Sequence, residues 1–197
     1  MIWSTVGYDS PLNKHVLSRV PNLEQFRQFV LRRHNIYEDD RLQCDNLNIA
    51  FIWRRDYLAH PRNPSGRIPR KIQNEQELLE RSRHKFSNHN IRGVQIDLLE
   101  MGDQLKLVSR TDILIGMHGA GLTHTLFLPR HAGLIELKPM HGSTENKHFM
   151  AMATWRRLHY MCWRNTDSFK ERPGGYTIVD VDRVVNMIKQ MIEEICK

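Results

Sequence analysis

The residues best equipped for chemistry lie between Thr111 and Pro129, TDILIGMHGAGLTHTLFLP. An apolar run leads into Gly116, Gly119 and Gly121, and residues at helical spacing follow at once. Small residues let the backbone turn sharply with its amides exposed, and a helix start adds unpaired N–H groups and a partial positive charge. The stretch Gly116, His118, Gly119, Ala120, Gly121, Leu122 and Thr123 is therefore a candidate cradle for an anion such as a diphosphate. Its spacing, G-x-x-G-x-G, departs from the dinucleotide pattern G-x-G-x-x-G and from the phosphate loop that ends in Gly-Lys-Ser/Thr, so NAD and ATP-hydrolase readings lose support. A strand-to-helix turn that needs glycine only for packing gives the same spacing. His118, Thr123 and His124, polar among apolar neighbours, weigh toward a ligand. A hydroxyl or imidazole beside a diphosphate donates a hydrogen bond to an oxygen that gains charge as a bond breaks. His118 reads as a contact to a β-phosphate, as lining of an acceptor cleft, or as a turn histidine that bonds backbone. His124 and His131 read as structural.

A second candidate is Arg54 with Arg55, directly after the apolar run LNIAFIW at 47–53. A guanidinium at a strand end can grip a diphosphate through two parallel hydrogen bonds. Adjacent strand positions face opposite ways, so only one of the two is expected in a site, and a solvated surface pair is the alternative. Asp180-Val181-Asp182 has the look of a metal-binding Asp-x-Asp, but it sits just before a helical stripe, where aspartates cap the first turn.

These residues need elements to hold them. Pro21, Asn22 and Gln25 read as a capping box for a helix whose Leu23, Phe26 and Val30 share a face. Residues 47–53 form a strand, 54–69 a Pro, Gly and Arg loop, and Asn74 with Glu77 a capping box for a second helix. Strands follow at 91–97, 112–116, 134–137 and 159–163, separated by helices at 101–109, 122–128 and 146–157. A last helix carries Val184, Val185, Ile188, Met191, Ile192 and Ile195. Strands that alternate with helices make parallel pairs, so the expected fold is α/β: a Rossmann-like open parallel sheet with helices on both faces. Ligands in such folds lie beyond the carboxyl ends of the strands, which directs attention to the loops after Trp53, Gly116 and Leu137.

The chain has 197 residues, 40% of them hydrophobic and 26% charged, a balance that excludes a disordered chain and suits one domain over 1–197. The excess of 29 basic over 22 acidic side chains points to an anionic partner. The basic residues are scattered without an interleaved aromatic platform, which argues against nucleic acid. No run approaches a membrane span, no membrane contact is expected of this segment, and the first residues, MIWSTVGYDSPLNK, lack the pattern of a signal peptide. Three cysteines at wide spacing, Cys44, Cys162 and Cys196, indicate neither a disulfide framework nor a zinc knuckle.

The run DILIGMHGAGLTHTLFLP, an aliphatic strand that ends in Glu-Leu, and LHYMCW together resemble glycosyltransferase family 61. Upstream, WRRD followed by RKIQNEQEL is similar to the family's Arg-bearing strand end and its Arg-x-x-x-Asn-Glu helix start. These segments match in order over roughly residues 47–163. The resemblance implies a GT-B architecture of two Rossmann-like halves, of which this chain corresponds to the C-terminal, donor-binding half with the N-terminal half missing. It implies an inverting, UDP-sugar-dependent transferase that moves N-acetylglucosamine or xylose onto a glycoprotein or glycan acceptor. Family members work in the lumen of the endoplasmic reticulum or Golgi. No cofactor or metal is expected, since arginines and a helix terminus neutralise the leaving diphosphate. Arg70 matches the family's loop arginine. Asn74 and Glu75 match too, although a capping box explains Asn74 without a ligand. Glu136, at the end of GLIEL, is placed to accept from ribose hydroxyls or to pair with Lys138 or an arginine. No carboxylate resembles a catalytic base, so the isolated chain is expected to bind UDP and transfer little. Two other readings compete: a non-catalytic nucleotide- or glycan-binding module derived from such an enzyme, and a nucleic-acid-binding domain with a steep salt dependence.

Overall fold

A computed structural model describes residues 20–37, 42–58, 64–141 and 146–197. The opening stretch through residue 19, and Arg62 in the basic loop, lie outside the described residues. Helix α1 spans Leu23–Arg33, followed by strand β1 (Asn48–Ile52), the short β2 (Lys71–Ile72), α2 (Glu75–Lys85) and β3 (Asn90–Val94). Then come α3 (Met101–Val108), β4 (Ile113–Met117), a 3-10 helix at Ala120–Phe127, β5 (Gly133–Lys138), α4 (His148–Arg156) and β6 (His159–Arg164). The short strands β7 (Glu171–Arg172) and β8 (Tyr176–Thr177) precede α5 (Val181–Ile195).

Five strands pair in the order β3-β1-β4-β5-β6, every pair parallel, as the alternation of strands and helices requires. The runs NIAFI, ILIGM and GLIELK are apolar almost throughout because both faces of these strands are covered. On one face Phe51, Ile115 and Leu137 pack on Leu78 of α2 and on Val184, Ile188 and Met191 of α5. On the other, Ile52, Leu114 and Leu134 pack on Val108 of α3, Leu122, and Phe149 and Ala153 of α4. Chain order reverses between β1 and β4, the second and third strands of the five, so the loops that leave them turn to opposite sides and open a crevice at their carboxyl ends.

Several local expectations are corrected. In α1 the buried side chains are Arg27 and Leu31, whereas Phe26 is 53% exposed. Arg27 is drawn inward because it donates to the carbonyls of Phe127 (3.3 Å) and Leu128 (3.0 Å) and pairs with Glu24 (3.1 Å), which together compensate its burial. Neither capping box forms. Asn22 takes a left-handed conformation with no side-chain cap bond, and Asn74 accepts from the Val179 amide (2.9 Å) and donates to the Val179 carbonyl (3.0 Å). The helix after the glycine loop is 3-10 rather than α. Thr123 and Thr125 hydroxyls donate back to the carbonyls three residues earlier, at 2.7 Å each, which suits the tighter turn. A small second sheet, β2-β8-β7, joins the basic loop to the segment before α5, and nothing in the two-residue strands announced it. Cys44 and Cys196, 152 residues apart, form a disulfide, and Cys162 stays free. Asp180 caps α5 by accepting from the Arg183 amide (3.0 Å), the role expected of it, and Asp182 pairs with Arg81 (2.6 Å).

Candidate functional site: a basic crevice at the sheet's switch point

Strand β1 delivers Arg54 to the crevice, and β4 delivers the glycine loop opposite it. The Arg54 guanidinium lies directly on Gly119, close enough that a Cβ there would sit 1.8 Å from Nη1. Among the described residues no protein group accepts from the amides of Gly119, Ala120 or Gly121. Next to this loop is a cavity of about 410 Å³, bordered by Arg54, Arg70, Tyr57, Asp97, Ala120 and Gly121. Two arginines and the start of a 3-10 helix bordering one concavity favour an anion of more than one charge.

Arg54 is fixed by donating Nε–H to the Pro69 carbonyl (3.1 Å). Burial first, and then the neighbouring Arg70 charge, pull its pKa down to about 10. Both effects penalise the cation, and a bound anion would relieve both. Arg70 sits at φ +63, and its backbone is braced by Gly175, where an added Cβ would meet Pro69 Cα at 3.0 Å. The same loop is anchored by Asp56, which accepts from the Ile68 amide (2.7 Å) and pairs with buried Lys71 (2.9 Å), whose ammonium also lies 4.4 Å from the Tyr176 ring.

The structure separates the two consecutive arginines. Arg55 borders the cavity but its guanidinium is held by Glu75 (2.7 Å), the first residue of α2, whose pKa burial raises against the opposing pull of Arg55. Gly116 and Leu122 belong to the core; a Cβ on Gly116 would lie 3.1 Å from Leu122 Cδ2. Thr123 bonds its own turn, and His124 bridges the Gly121 carbonyl (2.9 Å) and Gln104 Oε1 (3.0 Å), with burial lowering its pKa. His131 pairs with Asp112 at 2.7 Å.

His118 and Glu136 form a separate cluster beside the loop. Glu136 is fully buried. One of its oxygens meets His118 Nδ1 and the other accepts from the Tyr160 hydroxyl at 2.5 Å, while Lys138 Nζ lies 3.8 Å away. Phe149 packs edge-on against the His118 ring, with centroids 5.0 Å apart. Sequence reasoning missed Tyr160. The signal was there in the strand period: Leu134 pairs with Tyr160 in register, and Glu136, two residues on, shares that face. Tyr57, Asp97 and Gln104, which border the cavity, carried no signal of their own.

An α/β domain with a basic crevice at its switch point is the general class to which this geometry belongs. The chain belongs to glycosyltransferase family 61, whose model matches residues 9–135. It is 28% identical over 180 residues to a β-1,2-xylosyltransferase of Oryza sativa subsp. japonica, covering 87% of this chain and 32% of that protein. To the EGF domain-specific O-linked N-acetylglucosamine transferase of Mus musculus it is 41% identical over 109 residues, 54% of this chain and 20% of the relative. The Rattus norvegicus counterpart is 39% identical over 174 residues, 86% of this chain and 29% of the relative. The chain thus spans about a third or less of these curated relatives. No helix among the described residues is long and apolar enough to cross a membrane.

Proposed function

We propose that this chain is the donor-binding, C-terminal half of an inverting GT-B glycosyltransferase that uses a UDP-sugar. Membership of family 61 supports a transferase, and the names of the relatives support N-acetylglucosamine or xylose as the sugar and a protein-linked or glycan hydroxyl as the acceptor. The observation that carries the donor site is Arg54 resting on Gly119 beside a cavity that Arg54, Arg70, Ala120 and Gly121 border, with no acceptor among the described residues for the Gly119–Gly121 amides. In this reading the diphosphate lies across those amides between Arg54 and Arg70, and the two cations stabilise the charge that grows on UDP as the sugar departs. That arrangement supplies the neutralising charge without a metal. The Cys44–Cys196 disulfide supports residence in an oxidising compartment such as the lumen of the endoplasmic reticulum or Golgi.

Calorimetric titration of the chain with UDP tests the site. Arg54→Ala is expected to weaken UDP binding by about 2 to 3 kcal/mol, the loss of charge-assisted hydrogen bonds. Arg55→Ala, whose guanidinium serves Glu75, is expected to change it by less than about 0.5 kcal/mol. Equal effects of the two substitutions would displace the diphosphate from this position.

A further inference from the structure

The crevice is not uniformly basic. Asp97, on the 3-10 turn Ile96–Leu98 that follows β3, borders the same cavity as Arg54 and Arg70, and it is the one acid among the described residues that does so. Because β3 pairs with β1, the turn that carries Asp97 and the strand end that carries Arg54 are neighbours. An acid in a pocket that draws anions works against it, since its charge repels the phosphates that the arginines attract. An ion pair with Arg54 would cancel the effect, but none forms. Arg54, lowered by burial first and by Arg70 next, is supported by the more remote charge of Asp97, yet no hydrogen bond or ion pair joins the two side chains. Of the two Asp97 carboxyl oxygens, Oδ2 accepts from Gln95 Nε2 at 3.0 Å, and Oδ1 meets no donor among the described residues. Ile52, Ile68 and Ile96 supply an apolar part of the same lining.

We propose that Oδ1 of Asp97 accepts a hydrogen bond from a ribose hydroxyl of the bound nucleotide, which makes Asp97 the residue that selects ribonucleoside diphosphates. The inference rests on the donor-site reading above and carries it from the phosphates to the sugar ring beside them. A ligand that suits this cavity must bring anionic oxygens to the arginines, an O–H or N–H to an acceptor-only carboxylate, and an apolar body to the isoleucines. A ribonucleoside diphosphate has all three in its phosphates, its vicinal hydroxyls and its flat base. Pyrophosphate has only the first and leaves the acid unanswered. The other acids near the crevice are already committed. Glu136 is fully buried, with one oxygen against His118 and the other accepting from Tyr160 (2.5 Å), and it does not border the cavity. Glu75 is held by Arg55 (2.7 Å), and Asp56 by the Ile68 amide (2.7 Å) and Lys71 (2.9 Å). A site that hydrogen-bonds a hydroxyl rejects the analogue that lacks it, because its own polar group is then desolvated without a partner.

The test is calorimetric titration of the chain with UDP, with its 2′-deoxy and 3′-deoxy analogues, and with pyrophosphate. At least one deoxy analogue is expected to bind about tenfold or more weakly than UDP, the loss of a hydrogen bond to a charged acceptor. Asp97→Ala should bring UDP down to the affinity of that analogue and leave the analogue where it was, because the missing hydroxyl and the missing carboxylate are two ends of one bond. Asp97→Asn keeps the size of the side chain and offers a neutral acceptor, so it should cut the preference for UDP to below about threefold; it carries the test if the alanine variant fails to fold. Pyrophosphate has no hydroxyl to offer and should bind both variants at least as well as the wild type, since a negative charge near Arg54 has gone. Equal affinity of the wild type for UDP and both analogues, or a preference for UDP that survives in both variants, would overturn the inference while leaving the diphosphate site standing. Pyrophosphate affinity that falls together with that of UDP would also overturn it, by making Asp97 a support for Arg54 rather than a contact to the sugar. Failure of UDP to bind the wild type would sink the donor-site reading and this contact with it.

Discussion

Gly119→Ala gives the sharpest separation between a packing glycine and a ligand-site glycine. Gly119 has φ 167, an extended backbone open to any residue, so alanine adds no conformational strain there. Its new Cβ would stand 1.8 Å from Arg54 Nη1 and 2.5 Å from Cζ. Carbon contacts settle at about 3.5 Å, so the guanidinium must retreat by well over an ångström. Because the obstructing atoms are the far end of a flexible side chain, the fold should lose little, below about 1 kcal/mol. The ligand should lose much more. Two charge-assisted hydrogen bonds from a guanidinium that can no longer reach are worth about 2 to 3 kcal/mol, roughly thirtyfold to a hundred-and-fiftyfold in UDP affinity. Arg54→Ala removes the same bonds, so the double variant should bind UDP about as weakly as either single one rather than at the sum of the two losses. Calorimetry with UDP, alongside thermal unfolding of each variant, reads both quantities. Wild-type affinity in Gly119→Ala, or additive losses in the double variant, would refute the claim that Gly119 is small so that Arg54 can lie on the anion.

Replacing Cys44 and Cys196 by serine opens a 152-residue span and should lower unfolding free energy by about 3 to 5 kcal/mol, whereas Cys162→Ser should leave it nearly unchanged; equal denaturation curves would remove the disulfide as a structural tie. The Asp56 carboxyl is held below the ordinary carboxylate range by the Ile68 amide and then by Lys71. A depressed folded value means stability that is present above the unfolded carboxylate range and is lost as pH falls through the folded value. Thermal midpoints measured from about pH 5 down to about pH 2.5 should therefore fall more steeply for the wild type than for Asp56→Asn. On the basic side, burial pulls Lys71 down but its bonds to Asp56 and Tyr176 outweigh that and raise it, so this contribution persists to alkaline pH and fades only above the ordinary lysine range.

What could be read from the residues was whatever repeats along the chain. Apolar runs such as NIAFI and ILIGM, each followed by a helical stripe, announced the parallel sheet, and six positions of α5 announced its buried face. Contacts between segments far apart in sequence were not legible. The burial of Arg27 depends on the carbonyls of Phe127 and Leu128, about a hundred residues on, and no pattern within α1 favours it over Phe26. Asn74 looked like a cap because a cap is the local solution, but the Val179 backbone offered both a donor and an acceptor. The candidate site divides the same way. Arg54 and the glycine loop stood out by type and position, while Tyr160 and Asp97 joined them only through strand register and the sheet's twist.

The site's basic half is held less by the sheet than by the two ends of the described chain. Arg70 borders the cavity from a loop whose regular pairing among the described residues, β2 with β8, is made with residues just before the last helix. Lys71 reaches from that loop to Asp56 on one side and to the Tyr176 ring on the other, and Asn74 fastens the following helix to Val179. Cys44 and Cys196 then join the approach to β1 to the end of α5. Damage to residues 171–177 should therefore displace Arg70 while Arg54 and Gly119 keep their places. Gly175, at φ +76 with Pro69 Cα 3.0 Å from where its Cβ would stand, is one position where that segment meets the loop closely. The amides of the glycine loop, by contrast, depend on β4 and on the packing of Leu122 beneath them. One half of the cradle is thus built by local sequence, and the other is imposed by the return of the chain.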